Sequence, residues 1–205
     1  MWMKIVGITG SLGMGKSSIA RILRLLGFPV FDADNEVRKM INSDQSIIKK
    51  IILEFPNSVI HGEIDKEELA DEIYGQSHRL KALEKILHPA VRFQCERFLD
   101  NQRSKGSKLV FIDIPLLYET GYDEITDAVW VAWCEPHLRY ERVKKRSKIS
   151  DDRIEKIIEA QLADDVKKHR ADRVINTSGK RKETVRLVGK ALQDFCNSKE
   201  IKDVT

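Results

Sequence analysis

Residues 3–18 read MKIVGITGSLGMGKSS. The first seven, Met3 to Thr9, form a short apolar run of the kind found in buried parallel strands. Gly10 to Ser17, GSLGMGKS, match G-x-x-x-x-G-K-[ST]. From Ser17 to Leu26 apolar residues recur at helical spacing, and Gly27 stops them. Strand, glycine-rich turn and helix in that order are the setting a phosphate-binding loop requires. Gly10, Gly13 and Gly15 free the backbone to turn its N–H groups inward as a nest for phosphate oxygens. The helix start adds the positive end of its dipole. This reading gives Gly13, Met14, Gly15, Lys16, Ser17 and Ser18 to a nucleoside triphosphate. Lys16 reaches the β- and γ-phosphates as a point charge, the Ser17 hydroxyl ligates Mg²⁺, and Ser18 contacts the α-phosphate side.

Beyond Gly27, Pro29 to Phe31 make a second brief strand ending at Asp32, which completes a βαβ unit. From Asp34 to Lys105 the patterning predicts helices only. Ile47, Ile48, Ile51 and Ile52 form a stripe, and Asp65 to Tyr74 opens on a D-x-x-E cap at Asp65 and Glu68 and stops at Gly75. Arg79 to Arg103 is broken or kinked at Pro89. An excursion of this length between two strands of one sheet reads as an inserted helical lobe rather than a loop. Strands resume at Leu109 to Ile114 and Ala128 to Trp133. Helices follow at Pro136 to Arg146 and at Asp151 to Asp164, the latter N-capped by Ser150. A last strand, Arg173 to Asn176, precedes a helix with Val185, Val188, Leu192 and Phe195 on one stripe. The expected fold is a single α/β domain with a parallel sheet of about five strands flanked by helices. Its core covers 1–33 and 107–205, the helical insertion 34–106, and a basic lid about 139–164.

The chain has 205 residues, 41% hydrophobic and 33% charged, enough for one domain with a real core and too apolar for disorder. Cys95, Cys134 and Cys196 lie far apart with no C-x-x-C spacing, so they read as reduced thiols. His61, His78, His88, His137 and His169 lack metal-ligand spacing, which argues against a zinc site. No apolar run approaches the ~18 residues of a membrane span, and MWMKIVGITG has no secretory h-region. The expectation is a cytoplasmic protein. The net charge of +4 sits entirely in residues 139–153, where seven bases meet three acids.

The second strand delivers Asp32-Ala33-Asp34, with Arg38 four residues beyond Asp34. Carboxylates at the carboxyl end of a strand face the ligand crevice of an open α/β sheet. A phosphoryl acceptor hydroxyl needs a base as the P–O bond forms. Asp34 is the candidate base and Asp32 the orienting or Mg²⁺-linked partner, although Asp34 could instead cap the next helix. Asp113 ends LVFIDI as a Walker B carboxylate that helps hold Mg²⁺, or as a turn cap. His88-Pro89 with Arg92 falls in the helical lobe, and a His before Pro is most often structural. Arg139, Arg142 and Arg146, at i, i+3 and i+7, share one helix face. Lys144, Lys145 and Lys148 extend the charge, and Ser147 to Ser150 form a hinge-like break. A cationic lid of this kind neutralises a triphosphate and excludes water.

Taken together, GITGSLGMGKSS, VFDADNEVR, LHPAVR, DIPLLYE, the Pro136…Arg142…Arg146 block, Gln161 and ADRVINTSG resemble the dephospho-CoA kinases, in the family's order from residue 5 to about 179. The resemblance implies a P-loop kinase-type fold and a reaction in which ATP, with Mg²⁺, phosphorylates the 3′-hydroxyl of the ribose of dephospho-CoA. It makes Asp34 the base, gives Gly13 to Ser18 to ATP, and assigns Arg142 and Arg146 to the lid. It gives Arg38, His88 and Arg92, with Asp32, a role on the substrate side. Its partners would be ATP and dephospho-CoA, with no nucleic acid, membrane or obligate protein partner. Ser11 and Met14 stand where the family commonly has Gly and Ser, Arg139 replaces a frequent Gln, and Thr177 stands where Asn is common. Two other readings are a nucleoside monophosphate kinase and a P-loop nucleic-acid-binding protein using Arg139 to Arg153. The latter stretch offers only Tyr140 for base stacking.

Overall fold

The computed structural model describes residues 2–146 and 149–198. Along the chain β1 (Lys4–Thr9), α1 (Lys16–Leu25) and β2 (Val30–Asp32) come first. They are followed by α2 (Ala33–Ser43), α3 (Gln45–Glu54), β3 (Val59–Ile60), β4 (Glu63–Ile64), α4 (Lys66–Ile73) and α5 (Ser77–Ser104). Then come β5 (Leu109–Asp113), β6 (Ala128–Trp133), α6 (Pro136–Arg146), α7 (Asp151–Glu159), α8 (Asp164–Arg170), β7 (Arg173–Asn176) and α9 (Arg181–Ser198). The chain divides into two compact units. One comprises the residues up to Asp32 and from Leu99 onward, the other Ala33–Phe98.

In the first unit five parallel strands run in the order β2-β5-β1-β6-β7. All of β5 and all but Lys4 of β1 are buried, so these strands are apolar runs rather than alternating ones. Trp130 at the sheet centre packs against Phe111 and Phe195, with ring centroids 5.4 and 6.5 Å apart. Helix α1 buries Ile19, Ala20, Ile22 and Leu23 on one stripe. It ends in a Schellman turn: the Gly27 N–H donates to Arg24 O and the Phe28 N–H to Leu23 O, both at 3.0 Å, with Gly27 at φ 88°. The amphipathic α9 contributes Val188, Ala191, Leu192 and Phe195 to the same core.

Expected and observed elements differ in this unit at one helix. The stretch predicted as a single helix from Asp151 to Asp164 is two, α7 ending at Glu159 and a separate α8. Between them the Leu162 N–H turns to Glu119 Oε1 at 2.8 Å instead of continuing the helix. Ser150 caps α7, accepting from the Arg153 N–H at 3.3 Å. Of the break expected over Ser147 to Ser150, Ser147 and Lys148 lie outside the described residues.

The second unit is helical except for a β-hairpin. Asp44 and Asp65 cap α3 and α4, each carboxylate accepting two main-chain N–H groups. In α3 the expected stripe packs through Ile47 and Ile51, while Ile48 and Ile52 are half-buried. Helix α5 is continuous over 28 residues, so Pro89 does not break it. The expectation of helices only is corrected at β3 and β4, which pair antiparallel with Val59 opposite Ile64 and Ile60 opposite Glu63. His61 (φ 52°) and Gly62 (φ 85°) form the two-residue connection, both left-handed as such a turn demands. Placing a branched residue at the first of these positions should cost ~1 kcal/mol. Urea denaturation should therefore show His61→Val less stable than the parent and His61→Asn at least as stable.

Candidate active site

Strand β1, in the middle of the sheet, ends in the phosphate loop. Gly10, Gly13 and Gly15 have φ of 145°, 77° and 92°, a region that favours glycine. Each is also pressed from outside. A Cβ on Gly10 would lie 2.6 Å from Ala132 O, one on Gly13 2.9 Å from Arg139 O, and one on Gly15 2.5 Å from Thr177 Oγ1. Met14 occupies a free position of the motif and is buried. Its Sδ accepts the Cys134 N–H at 3.2 Å, which anchors the loop to the residue after β6. Helix α1 begins at Lys16, so Lys16, Ser17 and Ser18 form its first turn, the positive end of the helix, which attracts anions, with the Ser18 N–H also donating to Gly15 O at 2.9 Å.

Gly15 and Ser18 share a cleft of about 240 Å³ with Arg21, Arg142, Arg146, Thr177 and Arg181. Four guanidinium groups around one cleft at the start of a helix make a site for a polyanion, since each keeps its charge and offers a planar fork to phosphate. Arg142 is held by Thr177: its NH1 donates to Thr177 Oγ1 at 3.0 Å and its NH2 to Thr177 O at 2.5 Å. The Thr177 hydroxyl in turn donates to Met14 O at 2.8 Å. Thr177 is 3% exposed, and its side chain acts on the loop and on Arg142. Its neighbour Asn176 fixes the turn after β7 by accepting the Ser178 N–H at 2.8 Å.

The carboxylates fall into two sets. Asp32 and Asp113 end adjacent strands and lie opposite each other in register, with Asp113 also opposite Ile8 of β1. Asp113 is buried, whereas Asp32 is half-buried and receives Arg24 NH2 at 3.0 Å. With the Ser17 hydroxyl they supply hard oxygen donors of the kind Mg²⁺ takes, one or two carboxylates beside substrate phosphates. Among the described residues no group of three or more acidic, His or Cys side chains could hold a metal by itself. The second set belongs to the other unit. Asp34 is exposed in the first turn of α2, one residue inside the helix start, and its carbonyl accepts from Arg38 Nε at 3.2 Å. His88 and Arg92 are exposed one turn apart on α5.

The three arginines of α6 do not act alike. Arg142 and Arg146 line the cleft, but Arg139 is 6% exposed and pairs with Asp164 Oδ2 at 2.6 Å. The expected lid charge at Arg139 is therefore an internal ion pair, because the first turn of α6 rests on the loop at Gly13. Sequence reading passes over Arg21 and Arg181, and it marks Thr177 only as a departure from the family's common Asn. Arg21 lies one turn beyond Ser17 on α1, where helical spacing from the motif could have found it, whereas nothing local tells that Thr177 holds Arg142 and the loop. Burial pushes the Cys95 thiol up to about 12 and raises Cys134 as well, so both act as small apolar side chains. No helix among the described residues is long and apolar enough to cross a membrane.

The family model for dephospho-CoA kinase matches residues 4–183. A dephospho-CoA kinase of Rhizobium meliloti is 40% identical over 176 residues, 86% of this chain and 90% of that protein. The crystal structure of TT1252 from Thermus thermophilus superposes with a TM-score of 0.78 at 32% identity, covering 95% of this chain and 98% of that one. A dephospho-CoA kinase from Campylobacter jejuni shares the fold, with a TM-score of 0.63 at 22% identity over 94% and 97% of the two chains. With a phosphate loop on the central strand and a match that spans both units, the chain belongs to the dephospho-CoA kinase family.

Proposed function

We propose that this chain transfers the γ-phosphoryl group of ATP to the 3′-hydroxyl of the ribose of dephospho-CoA, giving CoA and ADP, through the residues described above. The family match over residues 4–183, with the phosphate loop inside it, carries this reading. The main chain of Gly13 to Ser18 and the Lys16 ammonium hold the β- and γ-phosphates. Lys16 neutralises charge that builds up on the transferring group and the leaving ADP oxygen. Arg142 and Arg146, with Arg21 and Arg181, hold the rest of the triphosphate side and help keep water out. Ser17 and Asp113 are the oxygens that would hold Mg²⁺, which when bound neutralises phosphate charge. The ribose oxygen attacks Pγ as the Pγ–O bond to ADP breaks, and the hydroxyl proton passes to the Asp34 carboxylate. Arg38, His88 and Arg92 bind anionic groups of the acceptor, and Asp32 orients it. The reduced thiols suit work in the cytoplasm, with these small molecules as the partners and no nucleic acid among them.

Purified protein with ATP and Mg²⁺ should form CoA from dephospho-CoA and leave nucleoside monophosphates untouched, and the opposite preference would replace this reading. Asp34→Asn should lower kcat about 100-fold or more while calorimetric ATP affinity stays at the parent value. Turnover near the parent level would make Asp34 a helix-start residue only. Thr177→Val keeps the shape but removes the hydroxyl that links Met14 O to Arg142. It should raise the KM for ATP about fivefold, the loss of one or two hydrogen bonds, with the KM for dephospho-CoA unchanged.

A further inference from the structure

Lysine is almost never fully buried unless paired, yet the Lys167 side chain, in α8, has no exposed surface. Its Nζ lies 3.2 Å from Glu119 Oε1 and donates to Ser11 Oγ at 3.4 Å. The Ser11 hydroxyl donates onward to Asp164 Oδ1 at 2.6 Å, and Asp164 Oδ2 takes Arg139 NH2 at 2.6 Å. One residue further along the loop, the Leu12 N–H donates to Gln161 Oε1 at 3.1 Å. Ser11 and Leu12 form the outer turn of the phosphate loop, immediately before the residues assigned to the triphosphate. Arg139 stands at the entry to the expected lid over 139–164, and Gln161 and Asp164 at its exit. Gln161 and Asp164 are thus fastened to the two loop residues directly, and Arg139 through Asp164.

We propose that Lys167 is a positioning residue for nucleotide binding: its buried ammonium, held by Glu119, fixes Ser11 and through Asp164 ties the phosphate loop to both ends of the 139–164 segment. This rests on the reading that Gly13 to Ser18 hold ATP. A hydroxyl between an ammonium donor and a carboxylate acceptor has its proton and one lone pair committed, so Ser11 is held in one orientation. Burial pushes the Lys167 ammonium below its usual range while Glu119 and Asp164 oppose that push, and the charge of Lys16 adds to it. A displaced outer turn would misalign the N–H groups that follow it, and small misplacements of binding groups are expensive in rate and affinity.

The test uses Lys167→Met, Ser11→Ala and their combination in the full chain, reading Mg-ADP affinity by calorimetry and the KM values of both substrates. Lys167→Met should weaken ADP and raise the KM for ATP about tenfold or more, with the KM for dephospho-CoA within about twofold. If the effect passes through Ser11, the same substitution made in Ser11→Ala should add less than about twofold, a non-additive cycle. Lys167→Met removes the ammonium from the Glu119 carboxylate, so Glu119→Gln/Lys167→Met is measured alongside it. That pair removes both charges and keeps an acceptor for the Leu162 N–H. An unchanged ADP affinity in the folded variants, or effects that multiply fully in the cycle, would reduce Lys167 to a structural ion pair. Failure of the parent enzyme to form CoA would instead remove the proposed function, and ADP affinity would still decide the role of Lys167.

Discussion

Three elements distant in sequence touch the main chain of Gly10, Gly13 and Gly15: the end of β6, the first turn of α6 and the turn after β7. The approach distances leave no room for a methyl group, so the path of the phosphate loop and the positions of these elements are set together. The positive φ values at the three glycines are the intramolecular half of this constraint, and close-packed neighbours are the other half. The nest for phosphate oxygens is consequently built before any ligand arrives, and its shape is shared with the hydrophobic core through Met14, Ile19 and Trp130.

Around that loop a few polar atoms carry a large share of the organisation. The Thr177 hydroxyl accepts from Arg142 and donates to Met14 O, which uses the two-sided capacity of a hydroxyl to join a cation to the backbone of the loop. The hydroxyl of Ser11, a residue of the loop itself, likewise accepts from Lys167 and donates to Asp164. Buried polar networks of this type are worth having only when their members are satisfied, because a stranded partner costs more than the contact gains.

Much of this was legible in the sequence where geometry leaves few choices. Glycine spacing announces the loop because its dihedrals exclude most other residues, and a strand buried on both faces is an unbroken apolar run. Asp65 and Ser150 announce their helices because a cap is a local hydrogen bond. The hairpin escaped because strands of two residues carry no measurable period, and His61 fills a turn position usually held by Asn or Gly. Helical spacing places Arg139, Arg142 and Arg146 on one face, but it does not say that one of them meets Asp164 and another Thr177. The split between α7 and α8 was hidden for the same reason: Gln161, Leu162 and Asp164 answer to groups far away in sequence. The Ala33–Phe98 unit was recognisable as helical; Asp34 stands out by its place just past a strand's carboxyl end, while the expectations for Arg38, His88 and Arg92 come from motif order.

The lining of the arginine-rich cleft beside Gly15 and Ser18 has a consequence for how its field responds to the medium. Its charged members are Arg21, Arg142, Arg146 and Arg181, with no carboxylate, lysine or histidine among the described lining residues. Guanidinium groups do not lose their protons at any physiological pH. The attraction this wall exerts on an anion is therefore insensitive to acidity, but it is open to screening, since ions shorten the reach of charge in a solvent-filled cleft. Salt rather than protons is the medium variable to which this wall responds.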